Sequence, residues 1–240
     1  MPCLYKSDAL FSLVIIFMNV YSISVKGKAA IQVEAETLSG RKALEHLKVG
    51  GLDRVVAVKM NGILQDFSAE MDLNAELEPV YLHSDEGLEI LRHSTSHVMA
   101  MAVKELFPGV KVTIGPAVKN GFYYDFDYER PFREDDLADV EEKMNEIIQS
   151  DLPFTRKEIP GSEAVAFFKD QAEDYKVELI NDLEVETVSL YTQGSFTDLC
   201  RGPHIPSTGM IKAFHLTKVA GAYWRGDEHR PMLSRIYGVG

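Results

Sequence analysis

Cysteine is almost absent from this chain: Cys3 and Cys200 are the only two in 240 residues. Two thiols build no disulfide framework, which fits a reducing compartment and leaves Cys200 free for chemistry. Positive charge is in deficit, with 25 Lys and Arg against 37 Asp and Glu and a formal net charge of −12. Such a surface repels a polyanion at long range and excludes a simple nucleic-acid-coating protein. No internal repeat or low-complexity segment interrupts the chain, and no apolar run is long enough for a confident membrane span. What is present is the balance of a globular protein with a real core, 45% hydrophobic and 26% charged residues. The length favours two modest domains.

The most apolar stretch, Ala9 to Val20, follows Lys6 and resembles a weak signal-peptide core. No A-x-A cleavage pattern follows it at the usual distance. We therefore read Met18 as the start of the folded protein, residues 1–18 as an extension or gene-boundary artefact, and the location as cytoplasmic.

Alternating runs at Val20 to Val25 and Ala30 to Glu36 predict strands, and Leu38 to Leu47 predicts a helix. Val55 to Lys59 and Ile63 to Phe67 flank Asn61-Gly62, a strong hairpin turn. Ala75 to His83 closes this first sheet, and Pro79 assigns it to an edge. Ser84 to Gly87 reads as a polar junction, followed by a helix from Leu88 to Phe107 that stops at Pro108-Gly109. Beyond it, Val110 to Asp127 reads as two strands around a Gly-Pro loop, and Asp135 to Gln149 as an amphipathic helix. Its acids between Glu134 and Glu146 face only Lys143, the pattern of a solvated face. Phe154 to Ile159 predicts a strand, and Ser162 caps a helix to Phe168. Lys176 to Ile180, Glu186 to Leu190, Phe196 to Cys200 and Phe214 to Val219 predict further strands. The fold class is α+β: a small helix-on-sheet domain over 19–88, then a larger domain over 89–240 with a mostly antiparallel sheet.

Four residues stand out. His93 and His97 lie four apart in HSTSH, so a helix projects both from one face. Taken alone, the pair reads as ordinary helix histidines, and the absence of a Glu after the first His removes the zinc-protease motif. Cys200 and His204 lie four apart in DLCRGPHIP, where Gly202 and Pro203 exclude a helix and impose a tight loop. A lone Cys is ordinarily buried packing; a rigid loop carrying Asp, Cys, Arg and His is costly unless used. Three His and one Cys suit a tetrahedral zinc site. They suit equally a metal-free pocket in which neutral imidazoles position and deprotonate water. The spacing leaves both open. From Arg201 onward the charge balance turns positive, with Lys212, Lys218, Arg225, Arg230 and Arg235 against Asp227 and Glu228, a possible phosphate-binding surface.

The segments RHSTSHVMAMAVKELFPG, IGPAVKNGFYYDFD, YKVELI, TDLCRGPHIP and KVAGAYWRGDEHRPMLSRIYG, in that order, resemble the editing domain of threonyl-tRNA synthetases. The preceding 70 or so residues are similar to the β-grasp-like TGS domain at the N-terminus of those enzymes. Alanyl-tRNA synthetase editing domains share H-x-x-x-H and C-x-x-x-H but lack the TGS-like lead-in and NGFYYDFD. The resemblance implies hydrolysis of serine wrongly attached to tRNA(Thr), with His93, His97, Lys176, Asp198, Cys200 and His204 as the catalytic set. It further implies that Tyr123 or Tyr124 walls the pocket and that Arg201, Gly202, Lys218, Arg225 and Arg235 meet the acceptor end. Each of those cations reads equally well as a surface ion pair, and Trp224 reads as core. In the family, zinc, ATP and Mg belong to the aminoacylation core, as does the homodimer contact. No metal is therefore expected at the four-residue cluster, although the alanyl relatives use the equivalent residues as zinc ligands. The motifs of the aminoacylation core are missing, so a fragment or a freestanding deacylase is expected, or else a non-catalytic RNA-binding module.

Overall fold

The computed structural model describes residues 18–240. The apolar stretch starting at Ala9, and Cys3, lie largely or wholly outside the described residues. The first unit comprises β1 (Asn19–Val25), β2 (Ile31–Ala35), α1 (Gly40–His46), β3 (Val55–Met60), β4 (Ile63–Asp66) and β5 (Asn74–Tyr81). The sheet runs β2-β1-β5-β3-β4, with β1 and β5 parallel and every other pair antiparallel. Ser39 caps α1 by accepting from the Lys42 N–H. Gly40 lets that helix sit close to the sheet, since a Cβ there would stand 2.6 Å from Val58. Ile23, Leu38, Leu44, Val58 and Leu77 fill the space between them.

Asn61 and Gly62 both take positive φ, 52° and 82°, as the hairpin between β3 and β4 requires. The placement of β5 corrects the sequence reading: it is the central strand of its sheet rather than an edge. Proline is tolerated because β1 pairs with β5 only as far as Leu77. Pro79, paired with Val58 on the other side, has no β1 residue waiting for its missing N–H.

The second unit contains α2 (Asp85–Leu106), β6 (Lys111–Val112), β7 (Ala117–Val118), β8 (Gly121–Asp127), α3 (Asp136–Gln149), β9 (Thr155–Pro160), α4 (Gly161–Asp170) and α5 (Asp174–Leu183). It continues with β10 (Thr187–Gln193), β11 (Phe196–Leu199), β12 (His215–Tyr223) and β13 (Met232–Val239). One sheet runs β12-β13-β8-β6, with β7 also on β8; a second runs β11-β10-β9; every pairing is antiparallel.

α2 is the spine of the molecule. Ser84, expected in a junction, is its N-cap and accepts from Gly87 N–H at 3.0 Å, while Asp85 and Glu86 occupy the first turn. From Ser94 to Val103 every residue is buried. Ser94 and Thr95 survive there because each hydroxyl donates to the carbonyl four residues back, at 2.8 Å. Val56, Ala57 and Val80 of the first unit join Val98, Met99, Phe122 and Ile236 in one core, so the two units share an interior.

Three local expectations fail. Lys176 to Ile180 lies inside helix α5, not a strand; Tyr175, Val177 and Leu179 mimic period two, and the helical stripe emerges only when Ile180 and Leu183 are included. Ser162 lies within α4, whose cap position is Pro160 with no side-chain bond. β13, unmarked in the sequence reading, lies between β12 and β8. Trp224 is core as expected, packed on Tyr175 with its indole N–H donating to Glu178 at 3.2 Å. Among the described residues no helix is long and apolar enough to cross a membrane.

Candidate functional site

His93 and His97 project from the same face of α2, as their spacing requires. Cys200 and His204 arrive from the loop that follows β11, anchored where the Cys200 N–H donates to Ser189 O at 3.1 Å. The two pairs meet: one donor atom from each of the four residues lies within 4.8 Å of the others. His93 Nε2 is 3.0 Å from Cys200 Sγ, and His204 Nε2 is 3.3 Å from the same sulfur. The ring centroids of His93, His97 and His204 are mutually 4.3 to 4.8 Å apart.

The surrounding hydrogen bonds fix which nitrogens carry protons. His93 Nδ1 lies 3.1 Å from Gly115 O, which only accepts, so Nδ1–H donates and Nε2 is bare. Ser94 Oγ gives its one proton to Ile90 O and therefore accepts from His204 Nδ1–H, at 3.0 Å, as well as from Ile205 N–H. His204 Nε2 is bare in turn. Two lone pairs thus face a thiol with a single proton, and one imidazole is left as a free proton acceptor. Burial holds His97 and His204 well below the ordinary imidazole range and lowers His93 as well, so all three are neutral at pH 7. Burial also pushes the Cys200 thiol up to about 12, which makes it a poor nucleophile. His97 Nδ1 has no protein partner.

Beside the imidazoles lies a buried polar strut. Lys176 of α5 ion-pairs with Asp198 of β11, and both are buried. Lys176 Nζ also donates to Thr113 O and, at 3.1 Å, to Tyr124 Oη. Tyr124 donates to Asp198 Oδ2 at 2.5 Å, and burial with that carboxylate raises its phenol far above the ordinary range. Asp198 Oδ2 is 3.8 Å from His97 Nε2. Two cavities flank the cluster. One, about 450 Å³, is lined by Ile114, Leu179, Leu183, Leu199 and Cys200; the other, about 340 Å³, by Leu64, Ile90, His93, Pro116 and Pro203.

The donor set passes a test for zinc: two bare Nε2 atoms and a sulfur converge, and the fourth ligand, His97, has a free nitrogen. His93, His97, Cys200 and His204 would hold such an ion, which would supply Lewis acidity to a bound water.

The structure brings Arg201 and Gly202 to this cluster, the Gly202 N–H donating to Cys200 Sγ at 3.3 Å, and gives Tyr123, Lys218, Arg225 and Arg235 no contact with it. Tyr123 lies on the face of β8 opposite Tyr124, beneath the Arg235 guanidinium, 3.9 Å from its ring centre. Arg235 is clamped on Asp125 through two bonds of 2.6 and 2.7 Å, and Arg225 pairs with Glu178 and Asp182. Lys218 is exposed and lies over the Tyr237 ring. Arg201 is exposed beside Cys200 and lines the larger cavity. Gly202 has φ 68°, and a Cβ there would stand 1.9 Å from Tyr191 Oη. Three cations of the positive C-terminal stretch, Arg225, Arg230 and Arg235, are thus paired with acids distant in sequence, whereas Arg201, Lys212 and Lys218 are not paired with any acid among the described residues. Sequence reasoning missed Ser94, Gly115, Tyr191 and Asp66. Ser94 carried a signal, being a small polar residue between the two histidines; Asp66 carried none.

Two short pairs, H-x-x-x-H and C-x-x-x-H, thus converge on an antiparallel α+β frame. Residues 188–237 match the family described as threonyl and alanyl tRNA synthetase second additional domain. The chain is 57% identical over 184 residues to threonine--tRNA ligase of Citrifermentans bemidjiense, covering 77% of this chain and 29% of the relative. It is 52% identical over 224 residues to that of Nitratidesulfovibrio vulgaris, covering 91% and 34%, and 56% over 185 residues to that of Hahella chejuensis, covering 77% and 29%. The chain spans about a third of the length of these relatives.

Proposed function

We propose that this chain is the N-terminal part of a threonyl-tRNA synthetase, with a TGS domain over 19–88 and an editing domain over 89–240, and that it hydrolyses serine from mischarged tRNA(Thr). The mixed five-stranded sheet with one helix across it suits a β-grasp-like TGS domain. The observation that carries the hydrolytic reading is the convergence of His93, His97, Cys200 and His204, with a bare imidazole nitrogen left over.

Serine differs from threonine by one methyl, which supplies only about 1 to 3 kcal/mol of discrimination in a synthetic pocket. A second, hydrolytic sieve removes the errors. The substrate is an activated ester, so the site needs a positioned water, a proton acceptor and donors for the oxyanion. A bare Nε2 of His93 or His204 takes the proton as water attacks the ester carbonyl. The tetrahedral intermediate then expels the ribose oxygen, which receives that proton, releasing serine and free tRNA. His97 orients the water, Asp198 holds the serine ammonium, and Lys176 fixes Asp198 and polarises the site. Cys200, protonated at neutral pH, positions rather than attacks.

The proposal is metal-free at this cluster, with zinc, ATP and Mg assigned to the aminoacylation part of the full enzyme. That enzyme is a cytoplasmic homodimer in this reading. The test is deacylation of seryl- and threonyl-tRNA(Thr) at stated salt. Seryl-tRNA is expected to be cleared and threonyl-tRNA spared; His97→Ala or Cys200→Ala at the full rate would remove the assignment. Stoichiometric zinc in the purified protein would favour instead a zinc hydrolase built on the same four donors.

A further inference from the structure

Asp66 ends β4 in the N-terminal sheet, 138 residues before His204, yet its carboxylate reaches the hydrolytic pocket. Oδ1 accepts the His204 backbone N–H at 3.0 Å, and Oδ2 accepts the Tyr191 hydroxyl at 2.7 Å. Tyr191 lies edge-on to the His204 imidazole, centroids 4.5 Å apart, and occupies the space that Gly202 leaves open. Phe154 stacks on the same imidazole at 4.8 Å, nearly parallel. The ring itself is tethered at Nδ1 by Ser94.

Outside the donor cluster, Ser94, Phe154 and Tyr191 thus set the ring of His204, and Asp66 holds both its backbone and the tyrosine beside it. A carboxylate suits this task because it accepts two donors from different directions at once, whereas an amide would turn its NH₂ toward one of them. We infer that Asp66 is a positioning residue for His204, through which the N-terminal sheet fixes the direction of His204 Nε2 in the pocket. Its activity readout rests on the hydrolytic reading above; its structural readout rests on the geometry alone. Displacing a reacting group by about 1 Å costs on the order of 100-fold in rate, so loss of Asp66 falls on the hydrolytic step rather than on binding.

The test uses the whole 240-residue protein, with Asp66→Ala and Tyr191→Phe each made alone and together with His204→Ala. Single-turnover hydrolysis of seryl-tRNA(Thr) should slow by about 10- to 100-fold in Asp66→Ala, with KM nearly unchanged. In the His204→Ala background the same substitution should add no further loss. Imidazole ¹⁵N signals of His204 should move in Asp66→Ala while amides of β12 and β13 stay put. An equal loss with and without His204, or unmoved His204 signals, would overturn the inference. A wild-type protein that leaves seryl-tRNA intact refutes the hydrolytic reading, and the His204 signals still decide the role of Asp66. If Asp66→Ala does not fold, Asp66→Asn, which keeps one acceptor, is read by the same two measurements.

Discussion

Replacing Lys176 by methionine leaves the Asp198 carboxylate buried without its counter-ion. Lys176 is 1% exposed and Asp198 2%, so water does not take over the lost interaction. Breaking a buried pair from one side costs about 3 to 5 kcal/mol, whereas replacing both partners by apolar groups is often close to neutral. The Thr113 carbonyl, on a fully buried residue, loses its Lys176 donor, which adds about 1 kcal/mol or more. A loss of about 4 to 6 kcal/mol approaches the whole stability of a typical domain. Urea unfolding followed by far-ultraviolet circular dichroism measures it. Lys176→Met should be severely destabilised, and Lys176→Met with Asp198→Leu should recover at least about 2 kcal/mol relative to the sum of the single changes. A single variant within about 1 kcal/mol of wild type, or strict additivity, would refute a coupled, water-free pair.

The three imidazoles give stability a pH signature. Burial depresses their folded pKa values, so between about pH 6.5 and those lower values the unfolded chain binds protons that the folded chain refuses. Their contribution is fully present above about pH 6.5 and falls as the pH drops, by up to about 1.4 kcal/mol per unit for each ring. His97→Phe should show a shallower acid slope in urea titrations, and an unchanged slope would contradict neutral burial. Alkylation of Cys200 by iodoacetamide at pH 7.5 should be far slower than for a free thiol, since burial holds its pKa at about 12; rapid modification would show a thiolate. Gly202→Ala should cost about 2 to 4 kcal/mol, from a positive φ and a Cβ placed on Tyr191 Oη, and a melting curve that matches wild type would deny that contact.

Much of the frame was legible before any coordinates. Asn61-Gly62 announced a hairpin, Pro108-Gly109 the end of α2, and the spacing of His93 and His97 a shared helical face, because each depends on dihedrals and periodicities within a few residues. Pro79 misled for the same reason: proline reports its own missing N–H, not whether a neighbour strand reaches that far. YKVELI misled because six residues satisfy period two and period 3.6 almost equally.

The arginines illustrate a different limit. Arg225 and Arg235 read equally well as phosphate contacts or as surface ion pairs, and the acids that neutralise them, Glu178, Asp182 and Asp125, lie 43 to 110 residues away in the chain. Sequence by itself determined the local elements and supplied three imidazoles and a thiol on two rigid segments. Tertiary structure alone decided that these segments meet, which nitrogens are left bare, and that Asp66 reaches across from another sheet, because convergence, burial and proton sharing depend on through-space distance, which the order of residues does not encode.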